Sequence, residues 1–264
     1  MTLFPGVALV TGAASGIGRA TALSFAQEGC LKICICDRDA AGLQETAQQI
    51  SSISKDVEVS IKEVDMLQED QIVALMDGVV AQWGRVDYAV NAAGVVGNGQ
   101  RSTSTSAAQF DLTNGVNYRG AWLMSRSELA QMLKQDPLPS HDGRPGNRGA
   151  IVNIASQLGV VGRPDAPAYC ASKAAVIGMT KCDAIDYSKD NIRVNCVCPG
   201  VTATPMTQGD PVFLKKLQPA IDIAPMGRMG TAQEIADACL WLCSSKATFV
   251  QGHALVVDGG YVIN

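Results

Sequence analysis

Short apolar runs alternate with helical patterns along the whole of this 264-residue chain. The runs are VALVTG from Val7, KICIC from Lys32, VEVSIKEV from Val57, DYAVN from Asp87, AIVNIA from Ala150, IRVNCVC from Ile192 and HALVVDG from His253. Several are apolar at successive positions, which is typical of parallel strands that are covered on both faces. No internal repeat or linker divides the series. The pattern therefore predicts an α/β fold, a doubly wound parallel sheet in one domain that spans residues 1–264.

Composition and charge disfavour several classes of function. The formal net charge is -4 and no block of basic residues is present, which argues against nucleic-acid binding. No apolar run approaches the ~18 residues that cross a bilayer, and the opening segment lacks the basic start of a secretory signal, so we expect no membrane partner. The nine cysteines lack zinc or redox spacing and are expected to be core residues in a reducing compartment, the cytoplasm.

Two segments interrupt the alternation of strands and helices. Residues 136–149 are rich in proline and glycine, which predicts a surface loop. The segment 204–230 contains four prolines and is predicted to be irregular, which is typical of a lid over a binding site. We expect a substrate lid at 205–229, with a variable surface excursion as the alternative. Neither His141, in the first loop, nor His253, near the last strand, is expected to have a function.

A glycine-rich turn, TGAASGIG, ends the first strand and leads directly into a helix. Glycine lets the backbone turn tightly and approach a ligand, and the free N–H groups of a helix N-terminus attract phosphates. Between the first strand and the first helix, such a turn is typical of a Rossmann-type dinucleotide-binding fold. The candidate residues for this contact are Gly12, Ser15, Gly16, Ile17 and Gly18.

The second strand ends at Asp37, nineteen residues after Gly18. A carboxylate at this point can accept hydrogen bonds from both ribose hydroxyls of an adenosine, and it repels a 2′-phosphate. This favours NAD over NADP as the cofactor. The neighbouring Arg38 keeps NADP open, because a guanidinium can bind a 2′-phosphate. A solvated turn residue or helix cap is the alternative role for Asp37.

Polar and small residues also follow the third and fourth strands. Asp65 follows the third, and the stretch NAAG, from Asn91 to Gly94, follows the fourth. Because ligands of such sheets bind beyond the carboxyl ends of the strands, these positions are expected to converge on one crevice. We expect Asp65 to bond the adenine amino group and Gly94 to let the backbone lie close to the adenosine ribose, with Asn91 and Ala92 beside it.

Tyr169 and Lys173 lie four residues apart in the alanine-rich stretch PAYCASKAAV. On a helix they would share one face, with Cβ atoms about 5–6 Å apart. The pKa of tyrosine, near 10, is too high for a base at neutral pH. A cation at about 5 Å, at an effective dielectric of about 20, contributes roughly 3 kcal/mol toward lowering it. The pair therefore suggests a tyrosine base with its pKa lowered by lysine, although by itself it could equally be a solvated helix face.

Together these motifs resemble the short-chain dehydrogenase/reductase family over essentially the whole chain. The matching stretches are TGAASGIG, NAAG, Asn117 in GVNYRG, Ser156 in VNIASQLG, YCASK, PGVTAT and the terminal VDGG. Ser156 and Tyr169 are thirteen residues apart, as is usual in the family. One departure is NAAG in place of the commoner NNAG, where Ala92 loses a side-chain hydrogen bond while the glycine is kept.

The resemblance implies a catalytic tetrad of Asn117, Ser156, Tyr169 and Lys173. Tyr169 would exchange a proton with the substrate hydroxyl, Ser156 would hold the substrate oxygen, and Asn117 would position a water that connects Lys173 to solvent. Tyr169 and Lys173 would also contact the cofactor. The remaining cofactor contacts that the resemblance implies, around the nicotinamide, are Pro199, Gly200, Thr202 and Thr204. No metal is needed for this chemistry.

The expected function is hydride transfer between a nicotinamide cofactor and a small-molecule secondary alcohol or ketone. Apolar residues flank the predicted pocket and suggest a hydrophobic substrate; they are Val95, Val96, Leu158, Val160, Val161, Met206, Phe213 and Leu214. A non-redox enzyme on the same scaffold (a dehydratase, isomerase or cyclase) and a dinucleotide-sensing binding protein are the alternatives, although neither needs the full tetrad. The apolar last strand and the family resemblance predict a homo-oligomer, with a tetramer favoured.

Overall fold

The computed structural model describes residues 2–139 and 143–264, so His141 and the middle of the predicted loop lie outside the described residues. The strands are β1 (Val7–Thr11), β2 (Lys32–Asp37), β3 (Glu58–Glu63), β4 (Tyr88–Asn91), β5 (Gly149–Ile154), β6 (Ile192–Pro199), β7 (Thr202–Ala203), β8 (Gly230–Thr231) and β9 (Ala254–Val257). The α-helices are α1 (Gly16–Gln27), α2 (Ala40–Ile53), α3 (Glu69–Trp83), α4 (Ala107–Asn114), α5 (Ala121–Met132), α6 (Pro167–Tyr187), α7 (Pro205–Gln208), α8 (Pro211–Ile223) and α9 (Ala232–Cys243). No helix within the described ranges is long and apolar enough to cross a membrane.

Seven of the strands form one parallel sheet in the order β3-β2-β1-β4-β5-β6-β9. The direction of the series reverses at β1, which pairs with β2 on one side and with β4 on the other. In open α/β sheets the crevice at such a reversal, beyond the carboxyl ends of the strands, is where ligands bind. The predicted doubly wound sheet and its single domain are confirmed.

Both faces of the sheet are buried under helices. Along β1, Ala8 and Val10 pack into the core under α1, α2 and α9, whereas Val7 and Leu9 pack into the core under α3 and α5. Successive strand residues point to opposite faces, so a strand covered on both sides has to be apolar at every position. This explains why VALVTG is apolar at successive positions.

The cysteines are mostly core residues, as the sequence predicted. All nine carry free thiols. Seven of them are buried: Cys30, Cys34, Cys36, Cys196, Cys198, Cys239 and Cys243. Burial raises the pKa of the Cys30 thiol to about 12, which makes it a poor nucleophile.

The segment 204–230 is largely helical, so the prediction that it is irregular was wrong. Two of its four prolines, Pro205 and Pro211, are compatible with helices because they stand in the first turns of α7 and α8, where an N–H group has no intrahelical partner in any case. Pro219 lies inside α8. The carboxylate of Asp210 accepts the N–H of Val212 at 2.8 Å and caps α8. Proline near a capping residue therefore marks the beginning of a helix here.

Candidate active site

A cleft runs along the carboxyl ends of the strands, beside the point where the strand order reverses. One of its two adjoining cavities is lined by the glycine turn and Asp37, and the other by Ser156, Tyr169 and Lys173. The two share wall residues, among them Ile17, Ala92, Gly94, Val95, Thr204 and Met206. The first is called the dinucleotide cavity below and the second the substrate cavity. All predicted cofactor residues except Asn91, and three of the four predicted catalytic residues, therefore line the same cleft.

The glycine turn brings backbone close to backbone and leaves a helix end open to a ligand. Gly12 has a φ of +66°, and a Cβ on it would lie 2.7 Å from the nitrogen of Ala93, so a side chain has no room there. A Cβ on Gly18 would collide with the carbonyl oxygen of Gly12. Ser15 caps α1 through its backbone, but its side chain makes no capping hydrogen bond. The exposed N–H groups at the start of α1 fit the phosphates of a dinucleotide.

Asp37 lies in the dinucleotide cavity at the end of β2. Its two carboxylate oxygens each accept a backbone N–H at 3.1 Å, one from Ala14 and one from Asp39. An ionised carboxylate has further lone pairs, so Asp37 can still accept hydrogen bonds from ribose hydroxyls. Arg38 is exposed on the wall of the same cavity. The two side chains expected to discriminate between NAD and NADP therefore lie side by side.

Asp65, Ala92 and Gly94 also line the dinucleotide cavity. The Oδ1 atom of Asp65 accepts the N–H of Leu67 at 3.0 Å, which fixes the carboxylate at the end of the turn after β3. A Cβ on Gly94 would lie 3.2 Å from the side-chain oxygen of Asn117. At Gly94 the wall of the dinucleotide cavity therefore lies directly against the side chain of Asn117.

Asn91 does not line the cleft, in contrast to the cofactor contact expected for it. Its side chain is buried and its amide donates hydrogen bonds of 3.0 Å to Glu128 and to Asn153. The reason is its place as the last residue of β4, where its side chain points into the layer between the sheet and α5. Asn91 thus stabilises the interior beneath the cleft.

Ser156, Tyr169 and Lys173 meet in the substrate cavity. Ser156 follows β5 and accepts the N–H of Leu158 at 3.1 Å, which fixes its hydroxyl at the strand end. Tyr169 and Lys173 lie one turn apart on α6, and the ammonium of Lys173 is 5.9 Å from the centroid of the Tyr169 ring. The ammonium also donates a 2.8 Å hydrogen bond to the carbonyl of Ile154. The lysine is therefore held between the end of β5 and the tyrosine.

The pKa values differ from the expectation that Lys173 lowers the pKa of Tyr169. Burial raises the pKa of Tyr169, and the nearby Ser156 hydroxyl and the charge of Arg163 offset only part of this effect. Burial also lowers the pKa of Lys173, to about 8. The low-polarity site disfavours the charged form of both groups. The protein alone therefore keeps Tyr169 neutral, and the expected lowering was wrong for the protein by itself.

Asn117 lies behind the wall of the cleft, in a π-helical turn at Gly115–Gly120 between α4 and α5. Its side-chain oxygen accepts the N–H of Val95 at 2.8 Å, and its amide donates to the carbonyl of Val95 at 2.9 Å and to the hydroxyl of Ser172 at 3.1 Å. The side chain of Asn117 thus links the backbone of Val95, in the cavity wall, to Ser172 on α6. A π-helical turn of this kind is frequent at functional sites.

The predicted residues for the nicotinamide end lie after β6. Pro199, Gly200, Thr202 and Thr204 all line the substrate cavity. The hydroxyl of Thr202 donates to the carbonyl of Gly200 at 3.1 Å, and Thr204 is the residue that precedes α7. The chain turns from β6 into the helical segment at this point, and Thr204, which lines both cavities, lies at the boundary between them.

The outer wall of the substrate cavity is apolar but contains polar residues that the sequence analysis missed. Of the apolar residues predicted there, Val95, Val96, Leu158, Met206 and Phe213 line it. The other three (Val160, Val161 and Leu214) do not. Besides the predicted Ser156, three polar residues of the turn between β5 and α6 line it: Gln157, Arg163 and Asp165. Their positions could not be inferred, because they lie in the turn between β5 and α6 and follow no periodic pattern.

No cluster of His, Cys, Asp or Glu within the described ranges has an arrangement that could hold a metal ion. His253 is exposed. The titratable groups that line the two cavities are Asp37, Arg38, Asp39, Asp65, Tyr169 and Lys173, with Arg163 and Asp165 at the outer wall.

Comparison with known proteins places the chain in a family. Residues 12–262 match the family model described as enoyl-(acyl carrier protein) reductase. The chain is 40% identical over 262 residues to a short-chain dehydrogenase of Aspergillus ruber, covering 97% of this chain and 96% of that protein. It is 37% identical over 257 residues to the 2-(R)-hydroxypropyl-CoM dehydrogenase of Xanthobacter autotrophicus, covering 97% and 98%.

Solved structures agree with these matches. The crystal structure of a levodione reductase superposes with a TM-score of 0.90 at 32% identity, covering 98% of each chain. That of a 3-ketoacyl-(acyl-carrier-protein) reductase from Brucella melitensis, complexed with NADH, superposes with a TM-score of 0.85 at 31% identity, covering 99% of this chain and 100% of that one. This chain therefore belongs to the short-chain dehydrogenase/reductase family and is an oxidoreductase that transfers hydride between a nicotinamide cofactor and a secondary alcohol or ketone.

Proposed function

We propose that this chain is an NAD-linked dehydrogenase or ketoreductase for an apolar secondary alcohol or ketone, with Tyr169 as the group that exchanges the proton. The observation that carries the proposal is the single cleft in which a phosphate-binding glycine turn adjoins Ser156, Tyr169 and Lys173. Relatives named as a levodione reductase and as a hydroxypropyl-CoM dehydrogenase support an alcohol or ketone as the reacting group.

Each catalytic residue has a proposed role that its position supports. A nicotinamide cofactor, when bound, supplies or accepts the hydride. The Ser156 hydroxyl binds the substrate oxygen, and the Tyr169 hydroxyl gives its proton to that oxygen in reduction or takes it back in oxidation. Lys173, with a pKa of about 8, can hold or release a proton near neutral pH. Asn117 holds the wall at Val95 in place, and we propose it as the fourth member of the tetrad.

The cofactor preference is proposed from Asp37. Its carboxylate lines the dinucleotide cavity at the end of β2, where it could accept hydrogen bonds from the hydroxyls of an adenosine ribose and would repel a 2′-phosphate. The proposed cofactor contacts also include the glycine turn, Asp65, Gly94 and Thr204. Arg38 is the residue that would support NADP if the charge of Asp37 were removed.

The substrate is proposed to bind under α7 and α8. Met206, Phe213 and Leu217 project from these helices into the substrate cavity. We propose that residues 205–229 act as a lid which closes over the substrate and excludes water from the path of the hydride. An apolar lid favours an apolar substrate body.

We also propose that the protein is a homo-oligomer, with a tetramer favoured, and that it functions in the cytoplasm. Phe249 is fully exposed, and β9 forms one edge of the sheet with an apolar, only partly buried sequence. An exposed apolar edge of this kind is a candidate surface for a second copy of the chain. The seven buried free thiols suit a reducing compartment.

The proposed function is tested by following absorbance of the reduced nicotinamide with a panel of secondary alcohols and ketones. We expect cofactor-dependent turnover of apolar members of the panel by the wild type, with a strong loss in Ser156→Ala. A non-redox enzyme would give a different result. The cofactor would bind without any change in its oxidation state, and a substrate would be dehydrated or isomerised.

A further inference from the structure

The substrate cavity contains a cation that the proposed mechanism does not use. Arg163 lies in the turn before α6 and lines the substrate cavity with Tyr169 and Lys173. Its charge acts on the site directly, because it lowers the pKa of Tyr169. Lys173 is already engaged, since its ammonium donates to the carbonyl of Ile154. Arg163 is therefore the cation of this wall that remains available to a ligand.

The guanidinium of Arg163 has no hydrogen-bond or ion-pair partner among residues 2–139 and 143–264, although the side chain is half-buried. Asp165, two residues later, lines the same cavity, but the two form no ion pair within 4.0 Å. Asp165 is exposed, so water screens its charge more than that of Arg163. An arginine left unpaired beside an apolar wall is suited to bind a carboxylate or similar anion through a pair of parallel hydrogen bonds.

A second observation also indicates a polar ligand group. Gln157 lines the substrate cavity and is only 4% exposed, yet its side-chain oxygen has no hydrogen-bond partner among the described residues. A buried polar atom without a partner is costly. Gln157 and Arg163 belong to the same turn, so a ligand that offers an anionic group to the guanidinium and a donor, such as a hydroxyl group, to the Gln157 oxygen would satisfy both.

The turn holds Arg163 in a restricted conformation. Pro164 follows it, and a residue before proline is confined to extended backbone. Asp165 then adopts a φ of +59°, and Pro167 begins α6. Little backbone freedom remains at Arg163, so little backbone entropy is lost when a ligand binds to it.

We propose that Arg163 binds an anionic group of the substrate, so that the enzyme acts on oxo acids or hydroxy acids, which carry a carboxylate or similar anion as well as the reacting ketone or alcohol. This inference rests on the proposed function, because it places the anion in the same cavity as Ser156 and Tyr169. The substrate would then be amphiphilic, with an apolar chain against Leu158 and Phe213 and an anionic end at Arg163.

The test compares matched pairs of substrates, an acid and its methyl ester, in which the ester lacks the negative charge. Levulinate and its longer methyl-ketone homologues, which end in a carboxylate, are reduced in parallel with their methyl esters. We expect wild-type kcat/KM to favour the acid over the ester by about 10- to 100-fold at the best chain length, as for a hydrogen bond to a charged group. Arg163→Met should abolish this preference, and Arg163→Lys should keep part of it. Any effect of the lost charge on the pKa of Tyr169 applies to acid and ester alike, so the acid-to-ester ratio is the readout.

Arg126→Met is the matched control, because Arg126 is an exposed arginine on α5 that pairs with Glu69 and does not line the cavity. It should leave the acid-to-ester ratio unchanged. The proposal is overturned if the wild type has no preference for the acid at any chain length, or if Arg163→Met retains the preference.

A binding measurement separates this inference from the proposed function. Calorimetry compares octanoate with octanamide on the enzyme saturated with reduced dinucleotide. Octanoate should bind at least about tenfold more tightly to the wild type and lose this advantage in Arg163→Met. If no ketone is reduced but this difference is seen, the anion site stands while the proposed activity fails. If ketones and esters are reduced and the two ligands bind equally, the activity stands and the anion site is refuted.

Discussion

The side-chain amide of Asn91 donates a 3.0 Å hydrogen bond to the fully buried carboxylate of Glu128. The other carboxylate oxygen of Glu128 has no partner among the described residues. Burial therefore raises the pKa of Glu128 to about 8, and the nearby charge of Asp183 adds to the effect. The layer beneath the cleft thus contains a carboxyl group that is protonated at neutral pH.

Glu128 should make the stability of the protein depend on pH. Its pKa is about 8 when folded and 4.5 as an isolated group, so between these values the folded state binds more protons than the unfolded state. The contribution of protonated Glu128 to the stability of the fold is complete below about pH 4.5 and is lost as the pH rises through 8. Each unit of pKa shift corresponds to about 1.4 kcal/mol.

Glu128→Gln removes this titration. In urea unfolding, the free energy of unfolding of the wild type should therefore fall relative to that of Glu128→Gln between pH 5 and 8. The expected fall is on the order of a few kcal/mol. Glu63→Gln, at an exposed site on β3, is the control and should follow the wild type. If the free energies of unfolding of Glu128→Gln and of the wild type change with pH in parallel, Glu128 is ionised in the folded protein.

Asp37→Asn tests the cofactor preference. The substitution keeps a side-chain oxygen for the N–H of Ala14 but removes the negative charge. We expect the wild type to prefer NAD, and the ratio of kcat/KM for NAD to that for NADP to fall by about tenfold or more in the variant. Adding Arg38→Gln should then lower the use of NADP. A wild-type preference for NADP would overturn the role proposed for Asp37.

The lid proposal predicts an effect of Phe213→Ala on substrate binding. Phe213 lines only the substrate cavity, so its loss should raise KM for the ketone and leave the Kd for the cofactor almost unchanged. Hydrogen exchange in α7 and α8 should be fast in the free enzyme and slow once cofactor and substrate are bound, while exchange in α3 stays constant. Slow exchange in α8 that ligands do not alter would show a fixed scaffold.

Oligomer formation should depend on the exposed edge beside β9. Phe249 is 103% exposed in the single chain, and such a large apolar side chain is stabilised by burial against a partner. Light scattering should give an oligomer at micromolar concentration, with a tetramer expected, and Phe249→Ser should dissociate it at least partly. Val73→Ser, at another exposed apolar site on α3, should not. A monomeric wild type would refute the proposal.

The sheet and the glycine-rich turn could be predicted from the sequence because both depend on local patterns. A strand buried on both faces has to be apolar throughout, and the glycine turn follows β1 directly. The helices of segment 204–230 were missed because prolines were taken as helix breakers. Pro205 and Pro211 stand in the first turns of helices, where proline is tolerated.

The side-chain partners in the site could not be predicted, because they are far apart in the chain. Asn91 follows a strand and was expected in the cleft, but its partner Glu128 lies thirty-seven residues away on α5. The charge of Lys173 was expected to supply most of the lowering of the pKa of Tyr169, but burial dominates the pKa of both residues. The degree of desolvation depends on how several elements pack together, and spacing along the chain does not contain that information.

The most direct test of the central claim is the turnover of Tyr169→Phe with its cofactor affinity measured in parallel. The substitution removes the hydroxyl alone, so the Kd for the cofactor should remain close to that of the wild type, while kcat should fall by at least about 100-fold through loss of the proton-exchanging group. Tyr187→Phe, at the other end of α6, should leave both quantities unchanged. If Tyr169→Phe keeps near-normal kcat, Tyr169 does not exchange the proton and the proposed mechanism is wrong.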